Sequence, residues 1–385
     1  MRAVVVGGGI GGLAAAVAMR RAGLDVTVFE RAPAFGEIGA GLTLMSNALR
    51  GLDVLGLRDA VVDGGVAEAS VGTRTPDGRW LSRLRADEAA SRLGATVVGI
   101  HRARLLQILL DALPPDVLQA GAEVVGVEAG PPATVGVVRE GVEDMVEADV
   151  VVVADGIDSR LRSALLPGRG GTRYSGSTAW RAVTAEPWTE PLSPAITWGP
   201  GSEFGIVPLG DGRVYWYGAT TMEPGARVDD EAAEVRRRFG GWHDPIARLM
   251  DATDPAAVIR HDLRDLATPL PTYVVGAAAV LGDAAHAMVP HLGQGACQAI
   301  EDAVVLGAAF SGGTPAAEAL RRYDSERRSR SQWVAASARR IARIGQELRN
   351  PLAVRVRNAA IRATPPQVAL RSMARFAAWE PPVYR

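Results

Sequence analysis

The first thirty residues constrain this chain more than any other stretch. "RAVVV" (2–6) reads as a short buried strand, "GGGIGG" (7–12) as a tight turn, and "LAAAVAMRRAG" (13–23) as an Ala-rich helix closed by Gly23. "DVTVFE" (25–30) is the next strand and ends in an acid. A G-x-G-x-x-G fingerprint falls on Gly7, Gly9 and Gly12. Gly7 permits the turn, Gly9 admits a pyrophosphate to the backbone, and Gly12 lets the helix pack on the sheet. The phosphates then meet free N–H groups at the positive end of the helix. Glu30 is placed for ribose hydroxyls, and its charge disfavours a 2′-phosphate. The plainer alternative is a Gly-rich turn between packed elements. Strand before, helix after and acid at the second strand's end favour a dinucleotide site.

The uncharged run 3–19 also loosely resembles the apolar core of a secretory signal. Its clustered glycines make a poor hydrophobic helix, and no small-residue cleavage site follows. No other uncharged apolar stretch approaches the ~20 residues of a membrane span. With 385 residues there is room for two cores, and a net charge of −1 with 48% hydrophobic residues is an ordinary globular composition. That balance suggests neither a nucleic acid nor a membrane as partner. Every basic residue is Arg, which excludes a Schiff-base lysine, a P-loop lysine and a lysine nucleophile. Cys297 is the single cysteine, so there is no intramolecular disulfide and no thiolate metal cluster. A cytoplasmic protein is expected.

Two further strand–loop–helix units carry glycines and an acid at a strand's end. "ADVVVVADGIDSRLR" (148–162) is one, and "YVVGAAAVLGDAAHAMVPHLGQGACQAIEDAVVLG" (273–307) is the other. Between the first unit and these lies "GEIGAGLTLMSNALRGLDVLGL" (36–57), a Gly-rich loop followed by an Asn-containing helix. Residues 282–295, "GDAAHAMVPHLGQG", hold two of the five histidines. A metal site, an acid/base pair and a loop bent around a flat cofactor all remain open for that stretch on the residues alone.

These three motifs, in this order, resemble the group A flavoprotein monooxygenases, the family of para-hydroxybenzoate, salicylate and urate hydroxylases and of zeaxanthin epoxidase. "HRARLLQILL" (101–110) resembles the family's Arg-bearing helix start, "GIVPLGDGRVYWYG" (205–218) a substrate-domain hairpin, and "WEPP" (379–382) its ending. The resemblance implies an α/β fold: a Rossmann-like FAD-binding domain with an inserted mixed β-sheet substrate domain and C-terminal helices. Expected boundaries are 1–70, 98–170 and 266–330 for the FAD-binding domain. Residues 71–97 and 171–265 form the substrate domain, and 331–385 the helical end. FAD, a transient NADH or NADPH, and oxygen are implied as cofactors and co-substrates. The implied reaction passes through a flavin C4a-hydroperoxide; epoxidation or dehydrogenation on the same scaffold is the alternative.

The resemblance also distributes roles. Asp283 is implied to accept a hydrogen bond from the ribityl chain, with N-terminal capping as its simpler role. Leu292, Gly293, Gln294, Gly295 and Ala296 would aim a helix N-terminus at the flavin pyrimidine, where reduction places negative charge. Arg102, Thr43 and Arg31 would line the same channel, and Gly11 and Val125 are further cofactor-contact candidates. Asp155 and Arg162 belong to a motif shared between FAD and nicotinamide binding, commonly through bonds to the first helix. Pro290 would border the place of oxygen transfer.

Residues 171–265 break the α/β rhythm. "STAWRAVTAE" (177–186), "AITWGP" (195–200), "SEFGIVPL" (202–209) and "RVYWYGATT" (213–221) read as strands of a mixed or antiparallel sheet. "DDEAAEVRRRFGGW" (229–242) reads as a charged helix outside it, and 67–97, with "TRTPDG" as a hairpin turn, as a further part of the sheet. Tyr215 and Tyr217 share one strand face and Trp216 takes the other. We place the tyrosines in the pocket, with Arg181, Glu203 and His291. Glu203 stands where a urate enzyme would need an anion-binding arginine, so a larger, less charged phenolic or polycyclic substrate is expected. His291, an imidazole directly after Pro290, is the acid/base candidate; His286 reads as structural. The Arg-rich run 314–350 reads as a helix with a solvated face or a dimer contact, and the chain as monomer or homodimer. A flavin halogenase would need a lysine, and a redox sensor reactive cysteines or an output domain.

Overall fold

Parallel pairing of short apolar strands builds the layer that carries the glycine-rich turn. The computed structural model describes residues 1–36, 40–67, 70–85 and 97–384. Among the described residues the strands form four sheets. The first has the spatial order Val274–Val275, Ala278–Val280, Val150–Val153, Arg2–Val6, Asp25–Glu30, Leu118–Ala120. Its neighbours run parallel except at the hairpin of the first two strands. Val150–Val153 is buried throughout, because helices and loops cover both faces of a parallel sheet. Helices Ile10–Arg21 and Gly295–Phe310 pack together through small residues: a Cβ on Gly11 would lie 3.3 Å from that of Ala299. Ala122–Glu128, Ala133–Arg139 and Val142–Ala148 form an antiparallel meander before the chain re-enters the parallel sheet.

A seven-stranded sheet has the order Ile259–Leu266, Thr172–Val183, Val214–Thr221, Ser202–Pro208, Ala195–Gly199, Ser70–Arg74, Trp80–Arg85. It is antiparallel except where Ser70–Arg74 runs parallel to Ala195–Gly199, hence mixed. Period-two alternation splits its faces. One face buries Trp180, Phe204 and Trp216 against Val235 and Phe239 of helix Glu231–Phe239, with Phe204 and Trp216 stacked at 5.6 Å. The opposite face carries Arg181, Tyr215, Tyr217 and Glu203. A small sheet of Gly41–Leu44, Val98–His101 and Val66–Ala67 completes the set.

Three local expectations are corrected. The apolar run before Asp283 is not one strand: Gly276, at φ 54°, turns it into the hairpin Val274–Val275/Ala278–Val280. The Arg-rich tail is not one helix over 314–350: Ala316–Ile344 ends at Gly345, and Pro351–Ala363 restarts. Nor is its Arg face wholly solvated, since the Arg327 side chain is fully buried. Positions 37–39, 68–69 and 86–96 of the expected loop and sheet segments lie outside the described residues. No helix of the described residues is long and apolar enough to cross a membrane.

Candidate active site

The parallel register brings four strand ends to one edge. Val6 pairs with Val153 and lies beside Phe29, while Val153 pairs with Val280. Gly7, Glu30, Asp155 and Asp283 therefore leave the sheet together, and the connections diverge to opposite sides at Arg2–Val6, the place where such sheets open a crevice. Gly7 has φ 108° and would set a Cβ 2.4 Å from the Ala154 carbonyl oxygen. A Cβ on Gly12 would lie 2.0 Å from the Gly7 oxygen, whereas one on Gly9 meets nothing within 4 Å. Helix Ile10–Arg21 has no capping side chain and no acid in its first turn. Its N–H groups are thus left for an anion, and Gly9 keeps the approach open.

Glu30 accepts the backbone N–H of Gly8 at 2.7 Å and of Ala32 at 2.8 Å, which ties the second strand to the glycine turn. Arg31 beside it is exposed. Asp155 is held mainly by its own turn; burial raises its pKa, opposed by bonds from Ser159 and Leu161. Its Oδ1 is buried with no hydrogen-bond partner among the described residues. Arg162 does not bond to the first helix as expected. It donates to the Ala284 oxygen at 3.1 Å and the Ile157 oxygen at 2.9 Å, fastening the Asp-Gly loop to the turn that carries Asp283.

That turn is gripped from behind. Gly282, at φ 62°, gives its N–H to Asp302 at 3.0 Å, and His286 Nε2 lies 2.6 Å from the same Asp302 oxygen. His286 is therefore structural, as its buried ring suggests. Asp283 forms no capping bond and stays exposed at the crevice, close enough to Arg102 to favour that residue's charge, which burial disfavours. Arg102 opens helix Arg102–Asp111 directly after strand Val98–His101, which pairs with the strand Gly41–Leu44 that carries Thr43. Val125 sits half-exposed on the meander.

Pro290–Leu292 forms a single tight turn, ended by Gly293 in the left-handed region at φ 60°. Helix Gly295–Phe310 then begins without a capping side chain or a first-turn acid. Gln294, named from sequence as a cofactor contact, turns its side chain inward: Asn47 Nδ2 donates to its Oε1 at 2.9 Å, and its Nε2 reaches Met45 Sδ at 3.1 Å. Gly295 and the half-buried Ala296 follow it into the first turn of the helix. Two uncapped helix starts, an exposed aspartate and the glycine turn thus belong to one edge of the sheet, and these donors and this acceptor suit the pyrophosphate, ribityl chain and flavin of FAD.

The seven-stranded sheet closes the other side. Arg181 pairs with Tyr217, and Tyr217 with Gly205. Because Gly205 has no side chain, the Tyr217 ring lies across it, its hydroxyl 2.7 Å from where a Cβ would stand. There it donates to Glu203, which also accepts Trp198 Nε1 at 3.0 Å. Burial and then the Glu203 charge raise Tyr217 well above the usual phenol range, so it is a neutral donor at pH 7. Tyr215 packs on Gly41, and its ring stands 6.1 Å from that of Tyr217. No carboxylate among the described residues pairs with Arg181. Its charge reaches Arg102, Tyr215, Tyr217 and His261.

His291 Nε2 lies 3.2 Å from Gln346 Oε1, while its Nδ1 is buried without a partner among the described residues. Gln346, His261 and the Glu301–Asp302–Arg327 cluster escaped the sequence reading. Two adjacent acids in an otherwise uncharged, apolar 16-residue helix were the available signal for the cluster. His261 was legible by alternation, since it pairs with Ala179 on the Arg181 face. Gln346, after the helix break, gave no signal.

Comparison with known proteins agrees with this geometry. Residues 1–338 match the model of an FAD binding domain family. The chain is 40% identical over 346 residues to aurachin C monooxygenase/isomerase of Stigmatella aurantiaca, covering 89% of each chain. It is 34% identical over 350 residues to 3-amino-4-hydroxybenzoate 2-monooxygenase of Streptomyces cremeus, covering 89% of this chain and 87% of that one. The crystal structure of Klebsiella pneumoniae HpxO with FAD and uric acid superposes with a TM-score of 0.90 at 29% identity, over 98% of this chain and 96% of that one. The chain thus belongs to the group A flavin monooxygenases, as an FAD-dependent aromatic monooxygenase.

Proposed function

We propose that this enzyme uses NADH or NADPH and dioxygen to hydroxylate an electron-rich phenolic or N-heteroaromatic ring bearing an N–H or O–H donor. One atom of oxygen enters the ring, the other leaves as water, and the nicotinamide supplies two electrons. Bound FAD supplies the two-electron redox chemistry and the activation of oxygen. The chain does the rest. Gly7 and Gly9 receive the pyrophosphate, with Gly11 and Gly12 packing the helix that presents its N-terminus to it, Glu30 and Arg31 the adenosine side with Val125, and Arg102, Thr43, Asp155 and Asp283 the ribityl region. The N-terminus at Gly293–Ala296, with Leu292, stabilises negative charge on the reduced ring.

The observation that carries the substrate class is the pairing of an unneutralised Arg181 with a buried Glu203 on one sheet face. Arg181 suits a carbonyl or phenolate oxygen, and Glu203 accepts a proton donor from the ring. Glu203 would repel a small polyanion, since Arg181 can compensate one further negative charge on this face but not several. His291 takes the proton at Nδ1 as the ring becomes electron-rich, Tyr217 donates as a neutral phenol, and Tyr215 and Pro290 shape the space beside the flavin. The domain boundaries expected from sequence belong to this same reading.

Turnover of a panel of hydroxyquinolines and aminophenols under isotopically labelled oxygen tests it. One labelled atom per product and nicotinamide oxidation that depends on oxygen are expected. An unlabelled product would refute the monooxygenation proposed for this panel.

A further inference from the structure

A second cavity, of about 300 Å³, lies between the end of the seven-stranded sheet and the long C-terminal helix. One wall is the turn that carries Asp283, through Ala285, His286 and Ala287. Four arginines line it: Arg173 at the sheet end, and Arg339, Arg340 and Arg343 on helix Ala316–Ile344. The one carboxylate in the lining is Asp265, which both Arg173 (3.2 Å) and Arg339 contact. Arg340 and Arg343 have no carboxylate partner among the described residues.

Folding alone does not favour this. Arg339 and Arg343 stand one turn apart, a like-charge spacing that costs helix stability. Burial, and then the charges of Arg173 and Arg343, depress Arg339 to about 10, although Glu347 opposes them. His286 adds a polar atom to the floor: its ring is fully buried, Nε2 is taken by Asp302, and Nδ1 has no partner among the described residues. Leu266, Ala267, Pro269 and Ala335 leave the remaining wall apolar. Guanidinium forks around a small, partly apolar cavity are the arrangement that binds phosphate groups attached to a sugar or ring.

We propose that this cavity receives the phosphate groups of the nicotinamide dinucleotide. The inference rests on the reductant named under the proposed function. The single G-x-G-x-x-G of the chain is committed to FAD, so the reductant needs another anion site. This one adjoins the turn that holds the ribityl aspartate.

The test uses the FAD-loaded enzyme and the double variant Arg340→Gln/Arg343→Gln, both residues being exposed on a helix whose folding thermal melts will monitor. Calorimetry with ADP-ribose and its 2′-phosphate, which carry the phosphates without a nicotinamide, should show binding to the wild type. In the variant it should weaken by about tenfold or more, as it should on raising the salt. Tighter binding of the 2′-phosphate would mark NADPH as the reductant. Anaerobic flavin reduction should show the same loss in dinucleotide Kd. Reduction by phosphate-free 1-benzyl-1,4-dihydronicotinamide should be unaffected. Equal ADP-ribose affinity in wild type and variant, or none in either, overturns the cavity assignment. Failure of both NADH and NADPH to reduce the wild type overturns instead the reductant itself, whatever the calorimetry shows.

Discussion

Gln346 fixes the tautomer of His291. Its Nε2 donates to the Gly201 carbonyl oxygen at 3.1 Å, a group that can only accept, so its Oε1 must be the atom facing Ser177 and His291. The imidazole Nε2 consequently carries the proton, and Nδ1 presents a lone pair to the site.

A base prepared in this way gives a distinct signature when its support is altered. His291→Ala should lower hydroxylation kcat by about 100-fold while peroxide release rises. Gln346→Leu should lower it by about tenfold. Gln346→Glu should move the ascending limb of the pH–rate profile to higher pH, because a carboxylate favours the charged ring and delays the free base. Thermal melts accompany the kinetics. A profile that stays in place while only stability falls would reduce Gln346 to packing.

Glu203 should govern substrate affinity rather than turnover. Glu203→Gln keeps the shape of the side chain and removes its charge, so KM for a ring with an N–H or O–H donor should rise about tenfold with little change in kcat. Glu203→Leu should cost more, since Trp198 Nε1 and the Tyr217 hydroxyl both lose their acceptor. Steady-state kinetics with a neutral and an anionic substrate separate the cases. If the Gln variant binds both as the wild type does, Glu203 does not read the substrate.

The fingerprint glycines should divide into cofactor and packing positions. Gly9→Ala meets no atom within 4 Å, so the apoprotein should unfold within about 0.5 kcal/mol of wild type while FAD affinity falls by more than about tenfold. Gly12→Ala places a methyl 2.0 Å from the Gly7 oxygen and should destabilise the apoprotein itself by about 1–3 kcal/mol. Urea melts of apoprotein and flavin fluorescence titrations measure the two effects.

The parts of this molecule that were legible in sequence are those in which local pattern and function coincide. The glycine turn, Glu30, and the Asp155 and Asp283 loops each announce a strand end that must bend sharply. The tyrosine face follows from strict alternation around Trp216. What stayed hidden depends on contacts between distant segments. Arg162 reaches Ala284 in the Asp283 turn, 122 residues away along the chain, rather than the first helix. Gln294 stands at a helix start, and only the fold shows that Asn47 takes its side chain. Arg327 looked like one more surface arginine, and only the fold reveals that it faces two buried acids.

That cluster should couple folding to cofactor retention. Arg327 donates to Asp302 at 2.7 Å, Glu301 at 2.5 Å and Gln298 at 2.8 Å, with the three charged side chains fully buried. Arg327→Met leaves two carboxylates with less compensation, although Arg330 still reaches Glu301 at 2.6 Å. The loss should be about 3–5 kcal/mol, the cost of breaking a buried pair by removing one partner. Since Asp302 also holds Gly282 and His286, FAD should bind more weakly as well. Burial opposes ionisation of Asp302, but the His286 and Arg327 charges outweigh it and hold its pKa below the usual carboxylate range. A depressed carboxylate contributes stability that is complete above its unfolded value, about 3.9, and lost as pH falls through the folded value. Wild-type stability should therefore drop steeply below about pH 4, whereas Arg327→Met, having already lost the pair, should show a shallower fall. Urea denaturation across pH 3–7 measures both slopes. Parallel curves would show that the buried cluster does not set the acid limit.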